Sequence, residues 1–359
     1  MTPTDAPAAM FSAAAGLCYL DTATYGLAPA PALDAMIKAI AGWQAGTAHW
    51  IDDFDAVAER GRAAFARLIG VPGDDVALVS SASIGVGTVA SSLRAGDRVV
   101  VPDDEFTSLL FPLLVAERHA VTVEQVPFEG LVDRIVPGTS LVACSLVQMQ
   151  TARVAALGAI LDRAAEVGAR VLVDATHGLP FVGAADGAVA RADYVVCAGY
   201  KHLLCPRGVS LFVVRGDRQD DLTPWNANWR TTEGHYQRYF GGPLTLVATA
   251  GRFDVSPAWF PWIGGVESLE LLCTWAADGS IERARLLAGD IAGGLDVPWG
   301  GSSVVSVPVG DLDATAAALG SARVKAGVRG GRVRLSTHVY NTPEDVELVS
   351  RVLRPFVAR

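Results

Sequence analysis

Short apolar runs alternate with helix-period segments through the middle of this 359-residue chain. Segment 154–168 has apolar residues at helical spacing and ends at a glycine, as a helix does. Nearly continuous apolar runs that alternate with helices indicate a mostly parallel sheet buried on both faces. The sequence therefore predicts an α/β fold in which a seven-stranded sheet lies between helices. The runs predicted as strands are 75–80, 98–102, 121–127, 140–147, 169–175, 192–198 and 209–214.

The pattern changes after about residue 215. Residues 223–242 are aromatic and irregular, which predicts a loop or lid, and a long helix is predicted over roughly 264–293. The remaining C-terminal residues predict a small α+β domain. Its predicted strands are 302–309 and 331–336, and its predicted helices are 311–320 and 342–353. The expected division is an N-terminal arm that contributes to the active site (1–30), a large domain (31–258) and a small domain (259–359).

Composition narrows the class of partner. The net charge of −9 argues against nucleic acid and against an anionic membrane surface, because both require a basic face. No apolar stretch has the length needed to cross a bilayer, and the first basic residue is Lys38, so an export signal is not indicated. The five cysteines are odd in number and widely spaced. The expectation is a reduced protein in the cytoplasm, without a metal site.

Lysine is rare in this chain and one lysine lies where a strand enters the interior. Only Lys38, Lys201 and Lys325 are lysines, and Lys201 comes shortly after the apolar run 192–198. Asp174 ends the preceding predicted strand, and ligands of parallel sheets bind at the carboxyl ends of strands. A lysine that forms a Schiff base and a carboxylate that pairs with a pyridine nitrogen suit pyridoxal phosphate. The alternative, of equal weight on these two residues alone, is a capping aspartate and a lysine that reaches solvent.

Two further segments fit a phosphate and a carboxylate. Residues 79–93 run from a strand into a helix through small residues, so free backbone N–H groups could hold a phosphate. An ordinary serine-capped helix has the same pattern. Arg334, near the end of the chain, could bind a substrate carboxylate with both branches of its guanidinium. A surface arginine on a small-domain strand is the equally supported alternative.

Five motifs in shared order resemble the class V branch of the fold-type I pyridoxal-phosphate enzymes. They are YLDTATYGLAP (19–29), GDRVVVPDDEFTSLLFPLL (96–114), VDATHG (173–178), AGYKHLLCPRG (198–208) and RLSTHVYNTPEDV (334–346). The resemblance implies that Lys201 carries the cofactor and that Asp174 pairs with the ring nitrogen. It further implies that Phe106 stacks on the ring and His177 contacts the phenolic oxygen. Tyr25 and Arg334 would bind the amino-acid substrate.

Some positions depart from that family's pattern. Ala198 stands where a phosphate-binding serine is frequent, which leaves Tyr200 and the segment Ser81, Ala82 and Ser83 as expected phosphate ligands. Ser256 is the candidate in the region where the partner subunit usually reaches the phosphate. Gln148 matches a position near the cofactor ring. The resemblance implies a homodimer with the active site at its interface.

The cysteines bear on the type of reaction. A cysteine desulfurase needs a nucleophilic cysteine shortly before the carboxylate-binding arginine, and residues 309–333 contain none. Cys197 and Cys205 flank Lys201 and are interpreted as packing residues. Persulfide transfer is therefore disfavoured. Beta-elimination needs only a base, for which Lys201 is the candidate, and a substrate that carries its own leaving group.

Within the family, the C-terminal motif and the aromatic segment 223–242 resemble actinobacterial C–S lyases of ergothioneine biosynthesis. That resemblance implies cleavage of hercynylcysteine sulfoxide to ergothioneine, through its sulfenic acid, with pyruvate and ammonia. Trp225, Trp229, Tyr236 and Tyr239 could bind the substrate's trimethylammonium group by cation–π contact, or could pack the segment onto its own domain. An aminotransferase or epimerase acting on another amino acid is the alternative. A non-catalytic binding protein is less favoured, because Lys201 and Asp174 are both present.

Overall fold

The chain folds into a large central sheet and two smaller ones, packed with helices. The computed structural model describes residues 6–184 and 187–358. Within these ranges the strands are β1 (Cys18–Tyr19), β2 (Val76–Val79), β3 (Arg98–Pro102), β4 (Thr122–Val126), β5 (Leu141–Ser145), β6 (Arg170–Asp174), β7 (Tyr194–Ala198), β8 (Ser210–Val214), β9 (Val304–Pro308), β10 (Val324–Lys325), β11 (Gly327–Arg329) and β12 (Arg332–Ser336). The α-helices of the same ranges are α1 (Ala6–Ala9), α2 (Ala30–Ala45), α3 (Val57–Ile69), α4 (Ala82–Ser91), α5 (Thr107–Ala116), α6 (Leu157–Val167), α7 (Trp259–Ala277), α8 (Ser280–Leu295), α9 (Leu312–Ser321) and α10 (Pro343–Leu353).

The central sheet confirms the predicted α/β fold. In the described part of the chain it has seven strands in the order β2-β8-β7-β6-β5-β3-β4. The strands are parallel except β8, which runs antiparallel to both of its neighbours. All residues of β5, β7 and β8 are buried, because side chains that alternate along a strand enter a core on each face. Val195 packs into one core and its neighbour Val196 into the other.

Helices cover both faces of this sheet. Val86 of α4 and Leu109 of α5 belong to one core, whereas Phe65 of α3 and Trp262 of α7 belong to the other. Helix α4 comes close to the strands because Gly85 lacks a side chain: a Cβ there would lie 2.6 Å from Val196 Cγ1. None of the helices within 6–184 and 187–358 combines the length and apolar character required to span a membrane.

A third core lies among the C-terminal elements. Strands β11, β12 and β9 form an antiparallel sheet whose apolar face meets α8 and α10, with Val333, Leu335 and Leu353 at the centre. The short strand β1 pairs with β10, which attaches the N-terminal arm to this region. The division at residues 30 and 258 stays a prediction, and Trp262 of α7 packs in a core of the central sheet.

The single long helix expected over 264–293 is wrong. Two helices occupy this stretch, α7 and α8, and the chain turns between them at Gly279. The φ of Gly279 is 81°, a left-handed conformation that a residue without a Cβ adopts at little cost. The helical periodicity on either side gave no sign of the break, because a glycine inside a helix and one at a turn look alike in sequence.

Candidate active site

A cavity of about 150 Å³ opens at the carboxyl ends of the central strands. It collects side chains from the loops that come after β2, β3, β6 and β7, which end at the same edge of the sheet. Eight residues expected at a cofactor site line it: Ser81, Ala82, Ser83, Phe106, Asp174, His177, Tyr200 and Lys201. The sheet topology therefore brings together residues that are far apart along the chain.

Lys201 is buried in this cavity just beyond the end of β7. Its Nζ lies 2.9 Å from His177 Nε2 and 5.3 Å from the centre of the Phe106 ring. Burial lowers the pKa of Lys201 to about 8, and the Asp174 carboxylate opposes this shift. A substantial fraction of the amine is consequently neutral at mildly alkaline pH, which is the form that attacks a carbonyl or accepts a proton.

Asp174 is the last residue of β6 and is also buried. Its Oδ1 accepts the backbone N–H of Thr176 at 2.9 Å. Burial raises the pKa of Asp174, while the Thr176 hydrogen bonds and the Lys201 charge act in the opposite direction. Thr176 also accepts the Ala198 N–H through its hydroxyl, so it joins the ends of β6 and β7. The sequence pattern alone gives Thr176 no role.

His177 has one ring nitrogen paired and one free. Burial, aided by the nearby Lys201 charge, lowers the pKa of His177 well below its ordinary value, so the imidazole is neutral. When the Lys201 ammonium donates to Nε2, the proton of the ring lies on Nδ1. Nδ1 is buried and has no hydrogen-bond partner among the described residues. Such an unpaired group costs roughly 1–3 kcal/mol, so the cavity holds an unused polar group.

The start of α4 forms the opposite end of the cavity. Ser81 is the N-cap residue, its side chain caps no backbone N–H, and its hydroxyl lies 3.0 Å from that of Ser83. Arg207, which also lines the cavity, stacks on Tyr200 with its guanidinium carbon 5.2 Å from the ring centre. A helix N-terminus with an adjacent arginine is a suitable phosphate site. Arg207 was missed, although it lies in the same Lys201-containing motif.

Glu105 holds the Phe106 segment in place. Its buried carboxylate accepts the backbone N–H groups of Phe106 at 2.8 Å and of Ser145 at 2.7 Å. Ser145, at the end of β5, also donates its hydroxyl to Glu105. Phe106 is therefore anchored to the central sheet, with its ring beside Lys201.

Arg334, on β12, is buried between the N-terminal arm and the large sheet. Its Nη2 donates to Thr24 Oγ1 at 2.6 Å and lies 3.4 Å from Asp21 Oδ1, and its Nη1 donates to the Met149 carbonyl at 3.4 Å. Its buried Nε has no partner in the described chain. Burial lowers the pKa of Arg334 from its ordinary value. The guanidinium is thus only partly satisfied, as expected of a group that binds a carboxylate.

Several expected site residues do not line the cavity. Gln148 is engaged elsewhere, since its amide donates to the Asp104 carbonyl and accepts from residues 150 and 151. Ser256 is exposed in the loop before α7. Tyr25 is half exposed, next to Gly26, whose N–H donates to the Tyr200 carbonyl at 2.9 Å. Arg334 is likewise not among the residues that line the cavity. Roles for Gln148, Ser256, Tyr25 and Arg334 stay predictions.

The rings of the aromatic segment form a separate cluster. Trp229, Tyr236 and Tyr239 surround Trp50 at centroid distances of 5.7, 6.0 and 6.3 Å. Tyr236 donates its hydroxyl to Asp55 at 2.8 Å, and Arg230 pairs with Asp55, Glu59 and Asp254. Trp225 is 72% exposed. We call the group Trp50, Trp229, Tyr236 and Tyr239 the Trp50 cluster. Its binding role also stays a prediction.

A buried lysine beside a neutral histidine, with a carboxylate, a ring and a helix N-terminus at one sheet edge, defines a pyridoxal-phosphate enzyme of the α/β type. The model of the class-V aminotransferase family matches residues 18–296. The chain belongs to this family, whose members use pyridoxal phosphate, so the cofactor prediction is confirmed.

Individual proteins agree with this assignment. The isopenicillin N epimerase of Streptomyces clavuligerus is 26% identical over 335 residues, which cover 81% of this chain and 82% of the relative. A cysteine desulfurase from Thermococcus onnurineus has a TM-score of 0.82 at 20% identity, over 99% of this chain and 98% of that one. A cystine C–S lyase solved with cysteine persulfide has a TM-score of 0.84 at 19% identity, over 97% of this chain and all (100%) of that one. The structural likenesses establish the fold.

The cavity residues fit the cofactor. Lys201 would bind its aldehyde, Asp174 its pyridine nitrogen, Phe106 one face of its ring, and Arg207 with the start of α4 its phosphate. His177, with its unpaired buried nitrogen, can supply a hydrogen bond beside Lys201. When bound, the cofactor supplies an electron sink for bonds at the substrate's α-carbon.

Proposed function

We propose that this enzyme is a carbon–sulfur β-lyase that removes a sulfur-linked group from a cysteine derivative. The supporting observation is the position of the five cysteines. Cys18, Cys144, Cys197 and Cys205 are buried, Cys273 is half-buried, and none lines the Lys201 cavity. Burial raises the pKa of each of these thiols. Without a thiolate to accept sulfur, the substrate must carry its own leaving group, as β-elimination requires.

The chain's residues have distinct roles in this proposal. Arg334 binds the substrate carboxylate and orients the α-carbon. The neutral amine of Lys201 would take the α-proton, and its lowered pKa suits this task at mildly alkaline pH. Neutral His177, at 2.9 Å, holds the lysine amine in position. Asp174 would pair with the pyridine nitrogen of the cofactor when the cofactor is bound.

For the substrate we propose hercynylcysteine sulfoxide. Elimination would break its Cα–H and Cβ–S bonds: Lys201 takes the α-proton, and the sulfur leaves with the bonding electrons as a sulfenate, which takes up a proton to become the sulfenic acid. The remaining three-carbon enamine would hydrolyse to pyruvate and ammonia, and a thiol reductant would convert the sulfenic acid to ergothioneine. Trp225 and Tyr239 are the most exposed of the four candidate rings, so they are the ones available to a trimethylammonium group.

A class V epimerase or aminotransferase is the second candidate. It is favoured by the 26% identity to an isopenicillin N epimerase across most of both chains. Both reactions begin with removal of the α-proton, so Lys201 and Arg334 would keep their roles. The two proposals differ in product, because only elimination yields pyruvate from the substrate.

We also infer a homodimer in the cytoplasm. Leu33, Ile37, Ile40 and Trp43 are exposed at intervals of three or four residues along α2, which places them on one side of the helix. A contiguous apolar stripe of this kind supports burial against a second copy. Sedimentation of the loaded enzyme at micromolar concentration would check the dimer.

The decisive experiment measures pyruvate formed from hercynylcysteine sulfoxide by the cofactor-loaded protein. We expect one pyruvate per substrate consumed, and none with the Lys201→Ala variant. If the sulfoxide is unchanged while the protein shows the visible absorbance of bound cofactor, the lyase proposal fails. Inversion or transamination of another amino acid by the same sample would then support the second candidate.

A further inference from the structure

The sheet β11-β12-β9 has two faces of opposite character. Val305, Val307, Val333 and Leu335 point into the C-terminal core. Side chains alternate along strands, so the residues between them point the other way. Arg334 lies on that second face, where it meets the Met149 carbonyl and Thr24. The second face therefore belongs to the substrate side of the sheet.

Arg329 lies on the same face as Arg334. In the antiparallel register Gly327 is opposite Arg334, and Arg329 is opposite Arg332. Residues directly opposite share a face, as do residues two apart on one strand. Gly327 separates the two arginines without covering them: a Cβ there would lie 3.5 Å from Arg334 Nη2. On the face that Arg329 shares with Arg334, strand β11 therefore carries no side chain between Arg329 and the buried Arg334 guanidinium.

The turn after Arg329 packs against the loop that supports Arg334. A Cβ on Gly330 would lie 2.2 Å from Gln150 Nε2, so the turn lies directly against this side chain. Gln150 is the residue after Met149, whose carbonyl accepts from Arg334. This contact holds the end of the β11–β12 hairpin at the large-domain side of the sheet.

The Arg329 guanidinium is available to a ligand. It is exposed, and within residues 6–184 and 187–358 it makes neither a hydrogen bond nor an ion pair. Arg332, opposite it, donates to Ser306, and Arg334 donates to Thr24 and Asp21. The positive charge of Arg329 reaches the cavity, because it lowers the pKa of Lys201, His177 and Arg334.

We propose that Arg329 binds a second carboxylate, carried on the side chain of the amino-acid substrate, while Arg334 binds the α-carboxylate. The enzyme would then prefer amino acids with negative charge at both ends. This inference rests on the proposed role of the Lys201 cavity and deepens it by naming a substrate class. The sulfoxide proposed above belongs to that class, since its betaine half carries a carboxylate.

The test compares two probes that differ in one charge, S-carboxymethyl-L-cysteine and its neutral isostere S-carbamoylmethyl-L-cysteine. Each is titrated into the loaded enzyme, and the apparent Kd is obtained from the visible absorbance of the cofactor. We expect tighter binding of the carboxymethyl compound and a loss of about tenfold with Arg329→Gln, the scale of one exposed charge-assisted hydrogen bond. The carbamoylmethyl compound should change by less than about twofold, and Arg329→Lys should retain part of the preference.

The matched control is Arg354→Gln, which removes an exposed guanidinium whose one hydrogen bond within the described residues is to the Gly294 carbonyl. It should leave both Kd values unchanged. The proposal is overturned if wild type does not bind the carboxymethyl compound or does not prefer it, if Arg329→Gln weakens both probes equally, or if Arg354→Gln has the same effect. The apparent Kd is measured without turnover. A failed pyruvate assay would therefore not account for the presence or absence of the expected change in Kd.

Discussion

Two buried arginines contrast a proposed binding residue with a structural cluster in this protein. Arg230, beneath the Trp50 cluster, has a carboxylate for each of its three nitrogens: Asp254 for Nε, Asp55 for Nη1 and Glu59 for Nη2. Arg334, between the N-terminal arm and the loop at Met149, has one carboxylate 3.4 Å away and a buried Nε without a partner in the described part of the chain. The two arginines are about equally buried, but they differ in how many of their nitrogens are paired with a carboxylate. A saturated arginine holds the fold together, whereas an unsaturated one can accept a ligand.

The same distinction applies to the surrounding residues. In the cavity, His177 keeps a free buried nitrogen and Lys201 has a depressed pKa of about 8. Around Arg230 most of the polar groups pair with each other, although Asp55 Oδ1 is left over. The unpaired buried nitrogens of His177 and Arg334 lie where we propose that cofactor and substrate bind, and the comparison leads to predictions of decreasing size.

The largest effect is expected for Lys201→Ala. Loss of the amine removes both the attachment of the cofactor and the base, so activity should fall by roughly a thousandfold or more. The visible absorbance of bound cofactor should disappear as well. Lys325→Ala, at an exposed lysine, is the matched control and should keep both. Full activity of Lys201→Ala would contradict the site assignment.

Replacement of Arg230 by methionine should strongly destabilise the fold. Buried Asp55 would lose its ionic partner, whereas Asp254 would keep Arg62, and removing one member of a buried ion pair costs about 3–5 kcal/mol. The free energy of unfolding from urea titration measures this. Arg191→Met removes an exposed pair with Asp162 and should cost less than about 1 kcal/mol. Equal losses in the two variants would show that the Arg230 network is not structural.

Arg334→Gln should mainly affect function. We expect kcat/KM to fall by roughly 30-fold, near 2 kcal/mol, because a charge-assisted bond to the substrate carboxylate is lost. Stability should fall by less than in Arg230→Met, since Nε is already unpaired. A variant as unstable as Arg230→Met, with unaltered kcat/KM in its folded fraction, would place Arg334 among the structural arginines.

The smallest effect, taken per pH unit, concerns pH and the stability of the cofactor-free protein. Burial lowers the Lys201 pKa from 10.5 to about 8, so between these pH values the unfolded chain binds more protons than the folded one. Stability then rises with pH across this window, by at most about 1.4 kcal/mol per pH unit from this group. Below pH 8 the cost of burying the ammonium is fully present. The Lys201→Met protein should lack this rise, and an identical rise in both proteins would assign it to other groups.

Much of the fold could be predicted because its signal is local. All seven central strands fall within the apolar runs, since a strand buried on both faces must be almost continuously apolar. Asp174 and Lys201 were found because parallel strands end at one edge. Strand β11, which carries Arg329, was not predicted, because its three residues include a glycine and a charge and have no apolar period.

Other features depend on contacts between distant segments. Trp229 packs on Trp50, although Trp50 comes before the first strand of the central sheet in the sequence and Trp229 comes after the last. No periodicity indicates this contact. Gln148 matches a position near the cofactor ring, yet its hydrogen bonds close a loop. Arg207 acquires its place only when the turn after β7 brings it against Tyr200. Sequence identifies candidates of this kind, and the fold decides which of them meet.

The central claim, that Lys201 carries the cofactor, can be tested directly because the chain has only three lysines, Lys38, Lys201 and Lys325. The loaded protein is reduced with borohydride, which makes the lysine–cofactor bond permanent, and then digested and analysed by mass spectrometry. We expect the cofactor's mass on the peptide that contains Lys201, and on neither of the other two. The cofactor on Lys38 or Lys325, or on no peptide at all, would contradict the account.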